Sequence, residues 1–408
     1  MKQIYLLFII FSFGVTLQSC SSYKAVRLAK QGYVDNKDFI TQIPFRYDND
    51  LIFIEVEIDK KHYNFIFDTG AEMSVIGQHI TGEIEYKVVT RSKVTSSSNS
   101  KQNAEFIELP KISFSNIDFE STGAIIADLS HFDRLIGCEK IDGIIGNNLL
   151  RKSIWQIDYK NETIKISDNI LNLKVPKKAS EIVMNSNKWG NVFLDVEVNG
   201  VKSKFIFDTG FVGKIRSDKQ FLDTLFSKSD KFKYITEVGR TGSNLNGITN
   251  GKIYYTLIDT VSVEGIIVNN QIMSFKQSNK SLIGNQFFKN FTMTLDWGND
   301  KIFLDKKNEF ELDTLKGYEL IFSPNYLTNR IEIIRYRDDY LLEKRVSLNS
   351  EIKIINDIDV SNFSTNELCE FWESEKENIQ NEKTLEIVIF ENGLNKKIKL
   401  TNKILLSK

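Results

Sequence analysis

The hexapeptide Phe-Ile-Phe-Asp-Thr-Gly occurs twice in this chain, at residues 65–70 and 205–210. Each copy follows a run in which apolar and polar side chains alternate, which is typical of a β-strand with one buried face. Each run also contains a hairpin signal, Asp59-Lys60-Lys61 in the first and Asn199-Gly200 in the second. The sequence therefore predicts two copies of one β-rich unit, and this duplication limits the possible folds more than any other feature.

A second block repeats in the same order and at nearly the same separation. Ile145-Gly146-Asn147 precedes a strand pattern at 155–159, and Ile283-Gly284-Asn285 precedes a similar one at 293–297. Two repeated blocks indicate duplication of a unit of about 125 residues, because a solenoid needs shorter and more numerous repeats. The junction between the copies is expected near residues 171–180.

The duplication gives chemical meaning to the Asp-Thr-Gly triplet, which alone is an ordinary turn sequence. Two copies that face each other would place Asp68 and Asp208 side by side. Two adjacent carboxylates share a proton and so provide a general base and a general acid in one site. Threonine hydroxyls can orient such a pair, and glycines allow the sharp turn beside it. The predicted supporting residues of the triplets are Thr69, Gly70, Thr209 and Gly210.

These motifs resemble those of the bilobal, retropepsin-like aspartic proteases. The first copy continues as Ala71-Glu72-Met73-Ser74, similar to the family pattern Asp-Thr-Gly-Ala-x-x-Ser/Thr. The segments ending at Gly146 and Gly284 are similar to the family segment that threads beneath the active-site loop. The resemblance covers about 260 residues. It implies a mainly β fold with two pseudo-twofold-related lobes, Asp68 and Asp208 as the catalytic pair, and no metal or other cofactor. Ala71, Ser74, Gly146 and Gly284 would support the catalytic loops.

The second copy departs from the family pattern. It continues as 211–215 without the Ala and the downstream Ser, so its loop must be supported differently. The first candidate flap, around 94–103, lacks the Tyr of a pepsin-type flap. The second candidate flap is glycine-rich, as a mobile lid should be. Its glycines are Gly239, Gly242 and Gly247.

Four other acidic residues receive structural interpretations. Glu72 is interpreted as a solvated loop charge, and Asp142 as a residue that caps or closes a turn. Asp158 and Asp296 occupy matched positions in the repeated hairpins and are interpreted as structural.

The first twenty residues predict a targeting segment. Lys2 precedes a mostly apolar run over 4–17, which is too short to span a bilayer comfortably and ends at Leu17-Gln18-Ser19-Cys20. This ending resembles the bacterial lipobox, which implies removal of 1–19 and lipidation of Cys20. The protein would then be anchored by lipid on the bacterial cell envelope, outside the cytoplasm, on either the periplasmic or the surface face. An ordinary secretory signal with an incidental Cys is the alternative.

The chain beyond Asp305 no longer follows the repeat. Strand patterns at 331–334 and 352–355, a helical pattern over 365–372 capped by Ser364 or Thr365, and a hairpin within 385–400 look like a PDZ domain. The usual Gly-Asp is replaced by Asn349-Ser350, and 317–320 is the nearest candidate for the carboxylate-binding loop. PDZ domains bind extended peptides at a sheet edge. A small packing module without a ligand is the alternative.

Composition excludes several other classes of protein. The 53 basic and 54 acidic residues give a net charge of −1, which argues against nucleic-acid binding. Only three His and three Cys are present, scattered along the chain, so a zinc site is not expected. If Cys20 carries lipid, Cys138 and Cys369 remain as free thiols or as a disulfide.

The sequence thus predicts a membrane-anchored, extracytoplasmic aspartic endopeptidase that acts on polypeptides and whose PDZ-like tail would bind peptides. A peptide-binding lipoprotein of the same fold is one alternative, although retention of both Asp residues weighs against it. A glycosidase is another, with carboxyl groups about 5 Å or more apart. The predicted divisions are a signal peptide at 1–19, a tether at 20–44, lobes at 45–172 and 181–308, and a PDZ-like domain at 315–408.

Overall fold

The structure is a computed structural model that describes residues 21, 23–95, 101–132, 140–228, 233–244, 247–278, 280–337 and 346–408. The mainly β fold predicted from the sequence is confirmed. None of the helices within these ranges has both the length and the apolar character needed to cross a membrane.

The first copy of the repeat forms one large sheet and half of a second sheet. A helix, α1, covers residues 23–30, and 3-10 turns lie at Gln78–Ile80 and Ile170–Asn172. The other elements are β1 (Tyr33–Val34), β2 (Ile40–Pro44), β3 (Arg46–Asp48), β4 (Leu51–Ile58), β5 (Lys61–Phe67), β6 (Ser74–Gly77), β7 (Lys87–Thr95), β8 (Lys101–Phe114), β9 (Ile117–Ala127), β10 (Gly143–Ile145), α2 (Asn147–Leu150), β11 (Ile154–Asp158) and β12 (Thr163–Ser167).

The second copy repeats this order, with one longer helix after the strand that follows the triplet. Its elements are β13 (Ser180–Val183), β14 (Asn185–Ser186), β15 (Val192–Val198), β16 (Val201–Phe207), β17 (Ile215–Asp218), α3 (Lys219–Lys228), β18 (Tyr234–Asn244), β19 (Gly247–Val263), β20 (Ile266–Lys276), β21 (Leu282–Ile283), α4 (Asn285–Phe288), β22 (Phe291–Asp296) and β23 (Lys301–Lys306).

The hairpins that lead into the two triplets have the same turn. Asp59 and Lys60 have φ values of 52° and 64°, and Asn199 and Gly200 have φ values of 43° and 81°. Two consecutive positive φ angles define the type I′ turn, whose twist matches that of the flanking strands. Both hairpins are therefore closed by local sequence, which fixes the register of the strands that carry the triplets.

A six-stranded sheet joins the two copies, in the order β13-β23-β22-β11-β12-β2. The second repeated block lies at its centre, where β11 pairs antiparallel with β22 and Ile157 lies opposite Met293. Gln156 donates a hydrogen bond to Thr294 Oγ1 across this pair at 2.9 Å. Buried side chains of both copies form one continuous core, so the halves are packed as one body around this pseudo-twofold centre.

The stretch predicted as a tether, 20–44, is packed against the first copy over its described part, which corrects that prediction. α1 buries Ala25, Leu28 and Ala29, whose spacing places them on one helix face. β1 pairs with β9, and β2 forms an edge of the six-stranded sheet. Burial of apolar side chains and strand pairing both favour an ordered segment here rather than free chain.

The C-terminal segment forms strands around one long helix and has its own core. Ser364 is the N-cap of this helix, with a capping box to Glu367, and Ile379 extends the buried face, so the helix is longer than predicted. The elements are β24 (Leu315–Gly317), β25 (Leu320–Asn325), β26 (Arg330–Arg337), β27 (Glu351–Ile355), β28 (Ile358–Asp359), α5 (Thr365–Asn381), β29 (Thr384–Glu391), β30 (Leu394–Thr401) and β31 (Lys403–Leu406).

The second candidate flap is part of a sheet that continues into this C-terminal segment. β18 pairs antiparallel with β26, with Glu237 opposite Arg337 and Gly239 opposite Arg335. The buried carboxylate of Glu237 lies 3.3 Å from Arg335 and 3.5 Å from Arg337. Gly239 has a φ of +136°, and a Cβ there would lie 2.3 Å from the carbonyl oxygen of Ile334. The base of this hairpin is therefore fixed to β26, whereas the sequence predicted a mobile lid.

Candidate active site

Each Asp-Thr-Gly triplet follows a strand that pairs in parallel with the short strand of the Ile-Gly-Asn block. In the first copy, Phe67 lies opposite Ile145, and the Asp68 amide donates to the Ile145 carbonyl at 3.0 Å. In the second copy, the Asp208 amide donates to the Ile283 carbonyl at 2.9 Å. The same backbone arrangement thus holds both triplets at the interface between the copies.

The two threonines join the triplets through four reciprocal hydrogen bonds. The Thr69 amide donates to Thr209 Oγ1, and the Thr209 amide donates to Thr69 Oγ1, both at 3.0 Å. Thr69 Oγ1 donates to the Phe207 carbonyl at 3.0 Å, and Thr209 Oγ1 donates to the Phe67 carbonyl at 2.9 Å. Both threonines are buried. They orient the carboxylates by cross-linking the two backbones, whereas the sequence suggested only that their hydroxyls orient the pair.

The triplets require glycine because the carboxyl group of the opposite triplet lies very close to each glycine. The amides of Gly70 and Ala71 donate to Asp68 Oδ1 at 2.7 and 3.1 Å. The Gly210 amide donates to Asp208 Oδ1 at 2.9 Å. A Cβ on Gly70 would lie 2.4 Å from Asp208 Oδ1, and one on Gly210 would lie 2.4 Å from Asp68 Cγ. Each carboxyl group therefore lies against the glycine of the opposite triplet, and no larger residue fits there.

The two carboxyl groups lie close together, because each is packed against the glycine of the other triplet, and each affects the pKa of the other. Both are half-buried at the meeting point of the copies. Burial raises the pKa of Asp68. Burial and the neighbouring charge of Asp68 raise the pKa of Asp208 to about 8, although the positive charge of Arg216 opposes this shift. Asp68 accepts more backbone N–H groups, which favour its ionised form, so Asp208 carries the shared proton.

Three predicted supporting residues of the first copy hold its loop in place. Ser74 Oγ accepts a hydrogen bond from the Gly146 amide at 3.1 Å and donates to Asn148 Oδ1 at 3.0 Å. The Asn147 amide donates to the Ala71 carbonyl at 2.8 Å. A Cβ on Gly146 would lie 2.6 Å from the Met73 backbone, so this crossing needs glycine.

The second copy supports its loop with backbone groups, which accounts for its missing Ser. The Gly284 amide donates to the Lys214 carbonyl at 3.0 Å, and the Asn285 amide donates to the Phe211 carbonyl at 3.3 Å. A Cβ on Gly284 would lie 2.3 Å from the Phe211 carbonyl oxygen. The crossing is thus as close as in the first copy, although no hydroxyl takes part.

Two asparagines of the site were not assigned a role from the sequence. Asn147 Nδ2 donates to the Thr69 carbonyl at 2.7 Å, and Asn285 Nδ2 donates to the Thr209 carbonyl at 2.5 Å. Both side chains are completely buried. The sequence did indicate both residues, because each is the last residue of a repeated Ile-Gly-Asn block.

Glu72 differs from its interpretation as a solvated charge. It is half-buried, burial raises its pKa, and it accepts a hydrogen bond from Asn191 at 3.2 Å. Asn191 in turn accepts from Asn147 at 3.1 Å, so Glu72 is linked to the first triplet.

The contacts of the other three acids are those of structural residues. Asp142 accepts from the Asn64 amide at 2.8 Å and lies 2.8 Å from His79 Nε2. Asp158 and Asp296 each accept from the Asn three residues later.

The described parts of both candidate flaps line one cavity of about 490 Å³ in the first copy. Val94 and Ala104 belong to the first hairpin, and Gly247 belongs to the second. Asp128 and His131 also line the cavity, whereas neither catalytic candidate does. The second hairpin therefore reaches across to the first copy. The turn residues 96–100 and 245–246 of these hairpins, like Cys20 and Cys138, lie outside the described residues.

Comparison with known protein families finds a match within the first copy. The family model for the aspartyl proteases matches residues 54–149, which include Asp68, Ser74 and Gly146. A search of curated proteins finds no match to this chain. Within the described ranges, no group of three or more His, Cys, Asp or Glu side chains is placed to hold a metal ion. Residues 54–149 are thus similar to the aspartyl proteases, and the internal repeat brings a second triplet opposite the first.

Proposed function

We propose that this protein is an aspartic endopeptidase that hydrolyses peptide bonds with Asp68 and Asp208. The observation that carries the proposal is the pairing of the two carboxyl groups, each packed against the opposite glycine. The close packing of the two carboxyl groups at the crossing of the triplets favours this function over a glycosidase, whose carboxyl groups would be about 5 Å or more apart.

In the proposed mechanism, the two carboxyl groups have different tasks. Ionised Asp68 takes a proton from a water molecule, and the resulting hydroxide attacks the peptide carbonyl carbon. Protonated Asp208 donates its proton to the carbonyl oxygen, so the tetrahedral intermediate is neutral. Asp68 then gives its new proton to the amide nitrogen, and Asp208 takes a proton from a hydroxyl of the intermediate. The C–N bond breaks, the carboxylic acid and the amine leave, and both Asp residues return to their starting states. The threonine hydrogen bonds keep the pair aligned throughout.

We further propose that the chain is a lipoprotein outside the cytoplasm, anchored through Cys20, with lobes at 45–172 and 181–308. Cys369 is disulfide-bonded, and disulfides persist mainly in oxidising compartments, which supports this location. Mass spectrometry of the protein from bacterial membranes tests the proposal by detecting an acylated N-terminal Cys20. Peptide mapping without reduction identifies the partner of Cys369.

For residues 315–408 we propose a PDZ-like peptide-binding role. β25 pairs with β26 along one edge, and none of the described strands pairs with its other edge. Phe322 of β25 and Trp372 of α5 are in aromatic contact, with ring centroids 6.3 Å apart, so this strand lies beside the helix. An extended peptide could add to this edge. Titration with C-terminal peptides, followed by Trp fluorescence, distinguishes this role from that of a packing module.

Digestion of a peptide library by the purified protein, from about pH 4 to about pH 8, tests the proposed function. Asp68→Asn and Asp208→Asn keep the shape of the side chains but remove the shared acid, so each should abolish cleavage without loss of folding. Asp195→Asn is the matched control, because it makes the same change at an exposed carboxylate of the second copy, outside the pair. Full activity in either Asp variant would refute the dyad. Peptide binding without cleavage by the wild type would favour the peptide-binding lipoprotein.

A further inference from the structure

The sheet face beside the triplets is apolar in the first copy but carries polar and charged side chains at the equivalent positions of the second copy. In the first copy, the strand after the triplet pairs with β9, and β9 pairs with β8. In the second copy, β17 pairs with β20, and β20 pairs with β19, in the corresponding register. Residues directly opposite on paired strands point to the same face. The first copy places Val75, Phe106, Ile125 and Ala127 there, whereas the second places Arg216, Tyr255, Ser274 and Lys276.

Arg216 lies next to the catalytic pair. Its guanidinium stacks on the ring of Phe211, the residue directly after the second triplet, with Cζ 4.3 Å from the ring centroid. Its charge lowers the pKa of Asp208, which places it within electrostatic reach of the dyad. The Nε of Arg216 is buried and has no hydrogen-bond partner. A half-buried cation thus lies beside the reacting groups with unused donors.

Lys276 is a second cation on this sheet face, on the strand that pairs with the strand of Arg216. Its Nζ donates to the carbonyl oxygen of Thr241 in the second hairpin at 3.3 Å. Burial and the charge of Arg216 lower its pKa to about 8. Across the described chain, neither Arg216 nor Lys276 forms an ion pair with a carboxylate. Two half-buried like charges cost free energy unless an anion lies between or beside them.

The catalytic pair does not supply enough negative charge for both cations. The dyad carries one shared proton, so only one of its carboxyl groups is ionised. The pKa of Lys276 is lowered by burial and by the positive charge of Arg216, and no carboxylate raises it. The matched apolar residues of the first copy show that the fold itself does not require cations here. An anion that enters with the substrate would relieve the repulsion.

We propose that Arg216 and Lys276 form a subsite that binds a carboxylate group of the substrate, next to the scissile bond. This inference rests on the proposed function, because it places a polypeptide in the cleft. The carboxylate is supplied either by an Asp or Glu side chain or by the C-terminus of the peptide. Arg offers the planar fork that matches a carboxylate, and Lys adds a point charge.

The subsite is tested with peptides that are matched except for charge. Asp or Glu at each position around the cleaved bond is exchanged for Asn or Gln, and each peptide is made with a free or an amidated C-terminus. We expect one acidic placement to raise kcat/KM by about tenfold or more. If kcat/KM depends on an Asp or Glu within the peptide, the subsite binds a side-chain carboxylate. If kcat/KM depends on a free C-terminus, the subsite binds the terminal carboxylate. Assays at about pH 6 keep Asp208 protonated.

Arg216→Gln should remove this preference while the neutral peptides are still cleaved, and Lys276→Gln should reduce it. Arg216→Lys keeps the charge and should retain part of the preference. Lys204→Gln is the control, because Lys204 is an exposed lysine of the same copy, paired with Asp195 at 2.8 Å. Thermal unfolding of each variant verifies that it is folded.

The outcomes separate this inference from the proposed function. Cleavage without any acidic preference, or a preference that survives in Arg216→Gln, overturns the subsite and leaves the protease. If the wild type cleaves no peptide, the subsite is tested by measuring how tightly Asp68→Asn binds the same acidic and neutral peptides. Discrimination of about tenfold between acid and amide then supports the subsite alone, and equal binding overturns it.

Discussion

Replacing Thr209 by Val should weaken the whole molecule, because this hydroxyl connects the two copies. The variant keeps the size of the side chain but loses the bond to the Phe67 carbonyl at 2.9 Å and the bond from the Thr69 amide at 3.0 Å. Each loss leaves a buried backbone group without a partner, at a cost of about 1–3 kcal/mol. The expected loss of unfolding free energy is therefore about 2–6 kcal/mol, a large share of the usual total of about 5–15 kcal/mol.

Urea unfolding followed by Trp fluorescence measures this loss. Thr209→Ser is the matched control, because it keeps the hydroxyl and removes only one methyl group, at a cost of about 1 kcal/mol. Peptide hydrolysis should fall with stability in the Val variant and persist in the Ser variant. If Thr209→Val unfolds within about 0.5 kcal/mol of the wild type, the cross-linking role of the threonines is wrong.

Three further predictions concern the dyad and its surroundings. Hydrolysis should decline as pH rises through about 8, where Asp208 loses its proton. Stability should decline earlier, from about pH 4, where an Asp in the unfolded chain loses its proton, up to about pH 8, because the raised pKa means that the fold favours the protonated form. A pH–rate profile that is flat to about pH 10 contradicts this prediction. Gly70→Ala should lower kcat by about 100-fold or more, because a Cβ would lie 2.4 Å from Asp208 Oδ1, while Gly82→Ala, with open space around it, should have no effect in the same assay. Glu237→Gln should destabilise the protein by about 3–5 kcal/mol in thermal unfolding, since it removes the buried carboxylate that faces two arginines of β26; an unchanged melting temperature contradicts the ionic link.

Much of the site was predictable because duplication repeats its sequence. The hexapeptide placed Asp68 and Asp208 at equivalent positions, and local turn chemistry at residues 59–60 and 199–200 fixed their strands. The C-terminal strands and the N-cap at Ser364 also followed from local patterns. These features depend on neighbours in sequence, so the sequence reveals them.

Other parts of the site depend on contacts between residues far apart in the chain. Arg216 and Lys276 became neighbours only through the register of β17 with β20. Glu72 became part of the site through Asn191, and the segment 23–44 was ordered by pairing with the first copy. Local sequence carries no information about such partners.

The sequence by itself thus determined that two equivalent strands each end in an aspartate and that the halves are related by duplication. Only the tertiary structure decided what surrounds those aspartates: the crossed threonine bonds, the opposing glycines, the two cations and the strand that fixes the second hairpin. The physical reason is that strand pattern and turn type arise from short-range sterics and hydrophobic alternation, whereas electrostatic surroundings arise from long-range strand pairing.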